Sequence, residues 1–387
     1  MISFENTDIA FKSKTNAQLN KAYWLFKIIS YPVIVKVGKM ITPLALNLHL
    51  PIKRIIKSTI FSQFCGGETI KECDSTIAKL GDFGIGTILD YSVEGQETSE
   101  EVENTVEEII STIERGANDS NIPFAVFKVT GIGSFSVLEK ASKGAMNDNE
   151  RKEFDDIKKR VERICQSAFD CNLPIFIDAE ESWIQQAIDN LAFEMMCKFN
   201  THRAIVYNTL QMYRWDRLDY LRFCLEEAKN HHIIYGVKLV RGAYMEKERL
   251  RAEKLGYRSP IQENKVNTDK DFNLALEFIV ENHEYFALCA GTHNEVSSIL
   301  LTRLMNEHAI SSNNNRFYFA QLLGMSDHIS FNLSHEKYNV AKYVPYGPVK
   351  EVLPYLLRRA DENTSVAGQT GRELTLIQKE KKRRKTV

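Results

Sequence analysis

The sequence predicts an α/β protein, a closed (β/α)8 barrel of the TIM type with an N-terminal helical extension. Three observations predict it. Eight short apolar runs succeed one another between Thr87 and Val344, each is followed by a longer charged stretch of helical spacing, and polar residues gather where the runs end. A chain of 387 residues with 43% apolar composition is long enough for one such domain and its extension.

Taken in order, residues 1–84 read as helical throughout, with Gly66-Gly67 as a break between helices. The most apolar part, Trp24 to Leu50, is interrupted by Lys27, Pro32, Lys36, Lys39 and Pro43. It reads as amphipathic helices packing on the main domain, with membrane association as the alternative. The barrel is expected over 85–375. Its strands are expected at Thr87–Val93, Phe124–Thr130, Pro174–Asp178, Arg203–Asn208, Tyr235–Arg241, Phe286–Thr292, Phe317–Gln321 and Val340–Val344. An open doubly wound sheet is disfavoured, because Gly131-Ile-Gly133 lacks the third glycine and the acidic ribose partner of a dinucleotide turn. Residues 376–387 form a basic C-terminal tail carrying Lys379, Lys381, Lys382, Arg383, Arg384 and Lys385. A solvated tail is the ordinary reading of such a run. The sharper one is attraction to an anionic membrane surface, about 1 kcal/mol per basic residue near it.

Bulk composition removes several classes of function. A formal net charge of −1 gives no pull toward nucleic acid. Seven scattered cysteines without a Cys-x-x-Cys pair suit reduced thiols in a cytoplasmic-type compartment, and argue against a disulfide framework or a zinc site. The N-terminus lacks the charged-then-apolar pattern of a signal, and no apolar run approaches about 18 residues.

The chemistry of such barrels lies at the C-terminal ends of the strands. Asp90, Glu94, Lys128, Asp178, Glu180, Glu181, Asn208, Gln211, Arg241, Thr292-His293-Asn294, Gln321 and Tyr343 collect there, as a ligand filling the barrel mouth would require. No His-Glu-x-x-His helix, cysteine–histidine cluster or serine elbow accompanies them, so no metal site is expected. After the eighth strand, Arg358, Arg359 and Glu362 fall within one helical turn. Paired guanidiniums match a carboxylate in bidentate fashion and a neighbouring carboxylate can receive an ammonium, so the segment reads as an amino-acid clamp. A Schiff-base aldolase using Lys128 or Lys238 is the alternative of a different class.

Four ordered motifs sharpen this. They are Lys238-Leu-Val-Arg241-Gly-Ala-Tyr244, Gly291-Thr-His-Asn294, Gln321-Leu-Leu-Gly-Met325, and Tyr343 leading to Arg358-Arg359-x-x-Glu362-Asn363. Together they resemble the proline dehydrogenase family, in its monofunctional FAD-dependent form, over roughly residues 60–375. The resemblance implies a distorted (β/α)8 barrel with FAD across the strand ends, and Val206, Asn208, Lys238, Arg241, Gly242, Tyr244, Thr292, His293 and Asn294 toward the flavin. It implies Lys128, Asp178, Tyr343, Arg358, Arg359 and Glu362 as the residues of catalysis and substrate binding, with Leu322 and Tyr244 lining the substrate. Two departures matter. Lys238-Leu-Val-Arg241 stands where bifunctional relatives have Arg-Leu-Val-Lys, which leaves open whether Lys238 or Arg241 is the cation at flavin N5. Asn208 stands where those relatives have glutamine.

The implied reaction is oxidation of L-proline to Δ1-pyrroline-5-carboxylate by hydride transfer from C5 to flavin N5. The expected partners are proline, a membrane quinone as electron acceptor and a separate pyrroline-5-carboxylate dehydrogenase downstream. The expected location is cytoplasmic, with peripheral contact at the inner face of the membrane and no nucleic acid. Hydroxyproline oxidation is the alternative within the family. An intact Tyr343 favours proline, since relatives with the other preference carry a smaller residue there.

Overall fold

The computed structural model describes residues 2–47, 52–92, 98–365 and 369–386, and of 41–47, 361–365 and 369–370 the backbone alone. Eight strands close into a barrel in chain order: β1 Ile85–Tyr91, β2 Phe124–Phe127, β3 Ile175–Ile177, β4 Val206–Gln211, β5 Tyr235–Val240, β6 Phe286–Gly291, β7 Phe317–Leu322 and β8 Val340–Tyr346. At least one helix follows each strand. By contacts the chain divides into two compact units, Glu94–Ala320 and Met1–Val93 with Gln321–Val387. This division differs from the expected one of extension, barrel and tail.

In the unit Glu94–Ala320, parallel register sorts side chains onto two faces. Val126, Phe176, Tyr207 and Gly236 are register partners in series, as are Thr209 and Lys238. The rings of Phe124 and Phe176 stack at 4.4 Å, with Tyr207 and Tyr318 set edge-on against Phe124. These residues therefore line the lumen. The other face meets the helices, which the sequence starts with strong caps. Thr98 and Glu101 form a capping box on Ser99–Gly116, and Asn147 and Glu150 form one on Asp148–Asp170.

β4 runs three residues later than the apolar pattern suggested. The Asn200 side chain accepts from the Ile205 and Val206 amides and donates to the Val206 and Ile234 carbonyls, so it takes up the backbone where the strand was expected to begin. The polar run Asn208-Thr-Leu-Gln211 completes the strand instead. Burial among neighbouring strands overrode the local pattern.

In the other unit, β1 pairs with β8 from Ile85↔Val340 to Tyr91↔Tyr346. Gly66-Gly67 does break the helices, and the break has a purpose. Gly66 N donates to Pro345 O at 2.9 Å, Gly67 bridges Tyr346, and a Cβ on Gly66 would lie 2.5 Å from Val344 Cγ1. The helices Asn16–Ile29 and Pro32–Asn47 join one apolar cluster with Val349, Val352, Leu356, Leu376 and Ile377. The basic segment is not a solvated tail, because Gln369–Thr386 is a helix. Its Arg372 pairs with Glu5, Arg383 with Asp8 and Glu380, and Arg384 with Glu380, while Arg384 also donates to the Phe11 and Lys14 carbonyls. Asp8 and Glu5, distant in sequence, neutralise charges that looked unpaired in the sequence. Among the described residues, no helix is long and apolar enough to cross a membrane.

Candidate functional site

The unit Glu94–Ala320 carries a cation held over an aromatic floor. Lys238 lies on the lumen face of β5, almost wholly buried, with its ammonium 5.1 Å from the Phe176 ring centre and donating to Asp178 Oδ1. Asp178 follows β3 directly, and its amide is fixed to Phe127 O at 2.9 Å. Lys128 follows β2 and is half-buried.

Gln211 ends β4 on the same face as Lys238. Its Nε2 donates to Glu180 O at 2.6 Å and its Oε1 accepts from Ala243 N at 3.3 Å, so one buried amide ties the β3 and β5 loops together. Glu180 is itself buried, accepting from the amide and hydroxyl of Thr130. Burial pushes its carboxyl up to about 7, against the Thr130 hydrogen bonds and the nearby Lys128 charge.

The β5 loop is shaped for close approach. Gly242 has φ +130°, and a Cβ there would lie 2.6 Å from the Tyr213 ring. Gly242 and Ala243 are exposed, and Tyr244, half-buried, leads into helix Met245–Leu255. Buried Glu248 holds that helix by accepting from the Ser182 amide and hydroxyl, both at 2.6 Å. After β6, Thr292 N bonds Ala320 O, and Asn294 Oδ1 caps helix Glu295–Glu307 through Ser297 N, which sets half-buried His293 at a helix N-terminus.

This donor set fits a planar, electron-accepting ring with an anionic tail. It offers a fixed ammonium, an exposed turn at a glycine that no other residue could replace without strain, and a helix N-terminus.

Three residues expected at the cofactor are not brought to this face. Asn208 lies on the helix side of β4, where Nδ2 donates to Asp189 Oδ1, itself paired with Arg217 at 2.7 Å. Val206 shares that face, bracketed by Asn200. Arg241 turns to the helices as well, bonding Asp269, Thr292 Oγ1 and Ser297 Oγ with its guanidinium 4.4 Å from the Phe272 ring centre. Strand parity is the physical reason: Arg241 and Lys238 are three residues apart and so lie on opposite sides. The sequence pattern offered the same signal, since Gln211 is an even number of residues from lumen-facing Tyr207 and Thr209.

In the unit Met1–Val93 with Gln321–Val387, Tyr343 is buried on β8 and its carbonyl accepts from Leu323 N at 2.8 Å. Helix Val349–Ser365 carries half-buried Arg358 and buried Arg359, whose guanidinium lies 5.2 Å from the Tyr355 ring centre. The side chain of Glu362 lies outside the described residues. Gln321 faces the helices, accepting from Ser330 Oγ at 2.7 Å, and by alternation Leu322 takes the opposite face of β7. Gly324, at φ +76°, lets the turn after β7 pass Gln63, whose backbone oxygen an added Cβ would meet at 2.1 Å.

Comparison with known proteins identifies the family. Residues 73–372 match the family described as Proline dehydrogenase. Proline dehydrogenase 1, mitochondrial, of Dictyostelium discoideum is 33% identical over 98% of this chain and 74% of its own. Hydroxyproline dehydrogenase of Xenopus laevis is 29% identical over 99% of this chain and 90% of its own. The crystal structure of proline utilization A from Bdellovibrio bacteriovorus, inactivated by N-propargylglycine, superposes over 93% of this chain with a TM-score of 0.74 at 18% identity. The chain spans only 38% of that protein, and at this identity the likeness speaks for the fold alone. With a family match over most of its length and a barrel of matching architecture, the chain belongs to the proline dehydrogenase family and is an oxidoreductase.

Proposed function

We propose that the protein oxidises L-proline to Δ1-pyrroline-5-carboxylate with FAD as its cofactor and passes the electrons to a membrane quinone. The observation that carries the reading is the Lys238–Asp178 pair above Phe176, a fixed positive charge at the strand ends of a family member. When bound, FAD supplies a two-electron acceptor for the hydride leaving proline C5, after which the nitrogen gives up its proton and a C=N bond remains.

The chain's own residues bind, orient and polarise. Lys238 supplies positive charge where the acceptor ring gains negative charge, and its partner Asp178 holds it there without reorganisation. Of the two cations the motif offered, Lys238 is the one supported beside the ring, while Arg241 braces the β5 loop from behind. Gln211 takes the amide role assigned to Asn208, and Gly242, Tyr244, Thr292, His293 and Asn294 hold the remainder of the cofactor. Arg358 and Arg359 pair with the substrate carboxylate, Glu362 receives the amine, and Lys128 adds charge. Tyr343 and Leu322 pack on the substrate ring. Catalysis is then mainly orientation plus electrostatics.

Hydroxyproline is the second reading, favoured by the Xenopus relative. Buried Tyr343 supports proline, because it leaves less room for a ring hydroxyl. The aldolase reading loses support from Lys238, which is ion-paired rather than isolated in an apolar pocket. Titrating the purified protein anaerobically with proline and, in parallel, hydroxyproline tests all three. The expected outcome is a flavin band near about 450 nm that bleaches with proline, together with trapped pyrroline-5-carboxylate. A protein without flavin absorbance, or one bleached only by hydroxyproline, overturns the reading.

A further inference from the structure

Helices Asn16–Ile29 and Pro32–Asn47 turn one face to the apolar cluster and leave another uncovered. Leu19, Ala22, Phe26, Ile29 and Val35 are buried. On the outer side Trp24 is 57% exposed, Ile34 49%, Val33 73% and Met40 74%. Val33, Val37 and Met40 follow the i, i+4, i+7 spacing of a single stripe. Exposed large apolar side chains in a contiguous stripe mark an interaction surface.

Charge identifies what the surface would meet. From Asn16 to Asn47, the two helices together, the chain has four lysines and no Asp or Glu, although the whole protein is close to neutral. Lys36 and Lys39 flank the stripe and are exposed. The Lys27 ammonium lies 5.0 Å from the Trp24 ring centre and 5.8 Å from that of Tyr23, and Tyr31 is exposed at the turn between the helices. Apolar residues at the outermost positions, indole and phenol rings beside them, and lysines long enough to reach back toward water are the pattern of a helix lying in a lipid interface. A protein partner of ordinary composition would not call for a surface so free of acids.

We propose that this helix pair is a docking face for an anionic lipid surface, with Val33, Val37 and Met40 entering the acyl boundary and Lys27, Lys36 and Lys39 meeting the headgroups. This deepens the quinone reading and rests on it for its use, since a lipid-soluble acceptor resides in the layer the face would enter. Binding itself is measured without that reading. The basic helix Gln369–Thr386, by contrast, directs Arg372, Arg383 and Arg384 to Glu5, Asp8 and Glu380, so it is not the main source of attraction.

The test is co-sedimentation of the full chain with vesicles of phosphatidylcholine and of a phosphatidylcholine–phosphatidylglycerol mixture. The expected result is binding to the mixed vesicles that weakens with salt, and partitioning reduced roughly tenfold or more by V33E/M40E. A K27E/K36E/K39E variant is expected to lose the preference for anionic vesicles. Tryptophan emission should shift to the blue on binding, and Trp24→Phe should remove most of that shift. Dye-linked proline oxidation by V33E/M40E, measured without vesicles, reports an intact fold. Wild-type protein that ignores mixed vesicles, or V33E/M40E that binds as well as wild type, overturns the inference. Concentration-dependent dimers dissolved by V33E/M40E, without vesicle binding, would assign the face to a second copy instead. Proline oxidation without vesicle binding leaves the proposed reaction standing while this inference falls, and vesicle binding without proline oxidation does the reverse.

Discussion

Two buried lysines, one in each compact unit, show how the barrel divides its polar residues between chemistry and support. Lys238 on β5 faces the lumen over Phe176 and bonds Asp178. Lys342 on β8 faces the helices, with Asp327 at 3.0 Å, Met325 O at 2.5 Å and Leu322 O at 3.4 Å, while Lys14 completes the pair from Asp327's other oxygen at 3.1 Å. Burial pushes Lys342 down and Asp327 pulls it back, while the two lysines hold Asp327 below the ordinary carboxylate range. The helix-side lysine is surrounded by fixed partners and ties the N-terminal segment to the turn after β7. The lumen-side lysine instead bonds a carboxylate at the strand ends and lies over an aromatic ring.

Exchanging each lysine for methionine breaks the comparison most sharply. Lys342→Met leaves buried Asp327 with Lys14 alone and is expected to cost about 3–5 kcal/mol in denaturant unfolding, with the turnover of still-folded protein nearly unchanged. Lys238→Met is expected to lower the rate of flavin reduction by proline roughly a hundredfold, with a smaller change in unfolding midpoint. Equal losses of stability in the two variants would show that both lysines are structural.

Glu180 gives the next largest effect. Its folded pKa of about 7 lies above the ordinary 4.5, so the folded state holds the proton more tightly than the unfolded chain. Stability is therefore greatest below about pH 4.5 as far as this group is concerned, falls as pH rises toward 7, and levels above it. The integrated loss is on the order of 3 kcal/mol. Glu180→Gln should flatten that portion of the stability–pH curve, read by thermal unfolding across the window. An unaltered slope would mean that Glu180 ionises as an ordinary carboxylate.

The eight strands were legible in the sequence because apolar runs with helical intervals have one compact closure, and all eight occur in the expected order. Asp178 and Lys128 were legible as strand-end residues, because a polar residue ending an apolar run has few places to go but the strand's end, whereas Lys238, inside its run, was marked by its motif. Strand parity was harder. Arg241 belongs to a recognisable motif and Asn208 ends an apolar run, yet each lies an odd number of residues from a lumen-facing neighbour, Lys238 or Tyr207, and so falls among the helices. Asn200, whose side chain takes up the backbone where β4 was expected to begin, sits before the run and gives no apolar signal. The ion pairs of the C-terminal helix were invisible because their partners, Glu5 and Asp8, lie more than three hundred residues away.

Within the unit Met1–Val93 with Gln321–Val387, the contrast between support and chemistry recurs between Lys342 and Arg359. Replacing Arg359 by methionine removes a charge-assisted pair to the substrate carboxylate, about 1.5–3 kcal/mol, so the proline KM should rise roughly ten- to a hundredfold. The unfolding midpoint should move far less than in Lys342→Met. An unchanged KM would sink the clamp assignment.

The smallest effect is the most discriminating, because Asn208 and Gln211 carry the same amide on opposite faces of one strand. Asn208→Ala removes a single hydrogen bond to Asp189, which keeps Gln185 at 2.8 Å and Arg217 at 2.7 Å. The expected cost is about 1 kcal/mol of stability, with flavin content and proline kinetics unchanged. Gln211→Ala instead unties the β3 loop from the β5 loop, so the spacing between Glu180 and Ala243 is no longer fixed. It should weaken flavin retention and slow reduction even where its loss of stability is similar. If Asn208→Ala sheds flavin and Gln211→Ala keeps it, the assignment of faces on β4 is inverted, and with it the choice of Lys238 over Arg241.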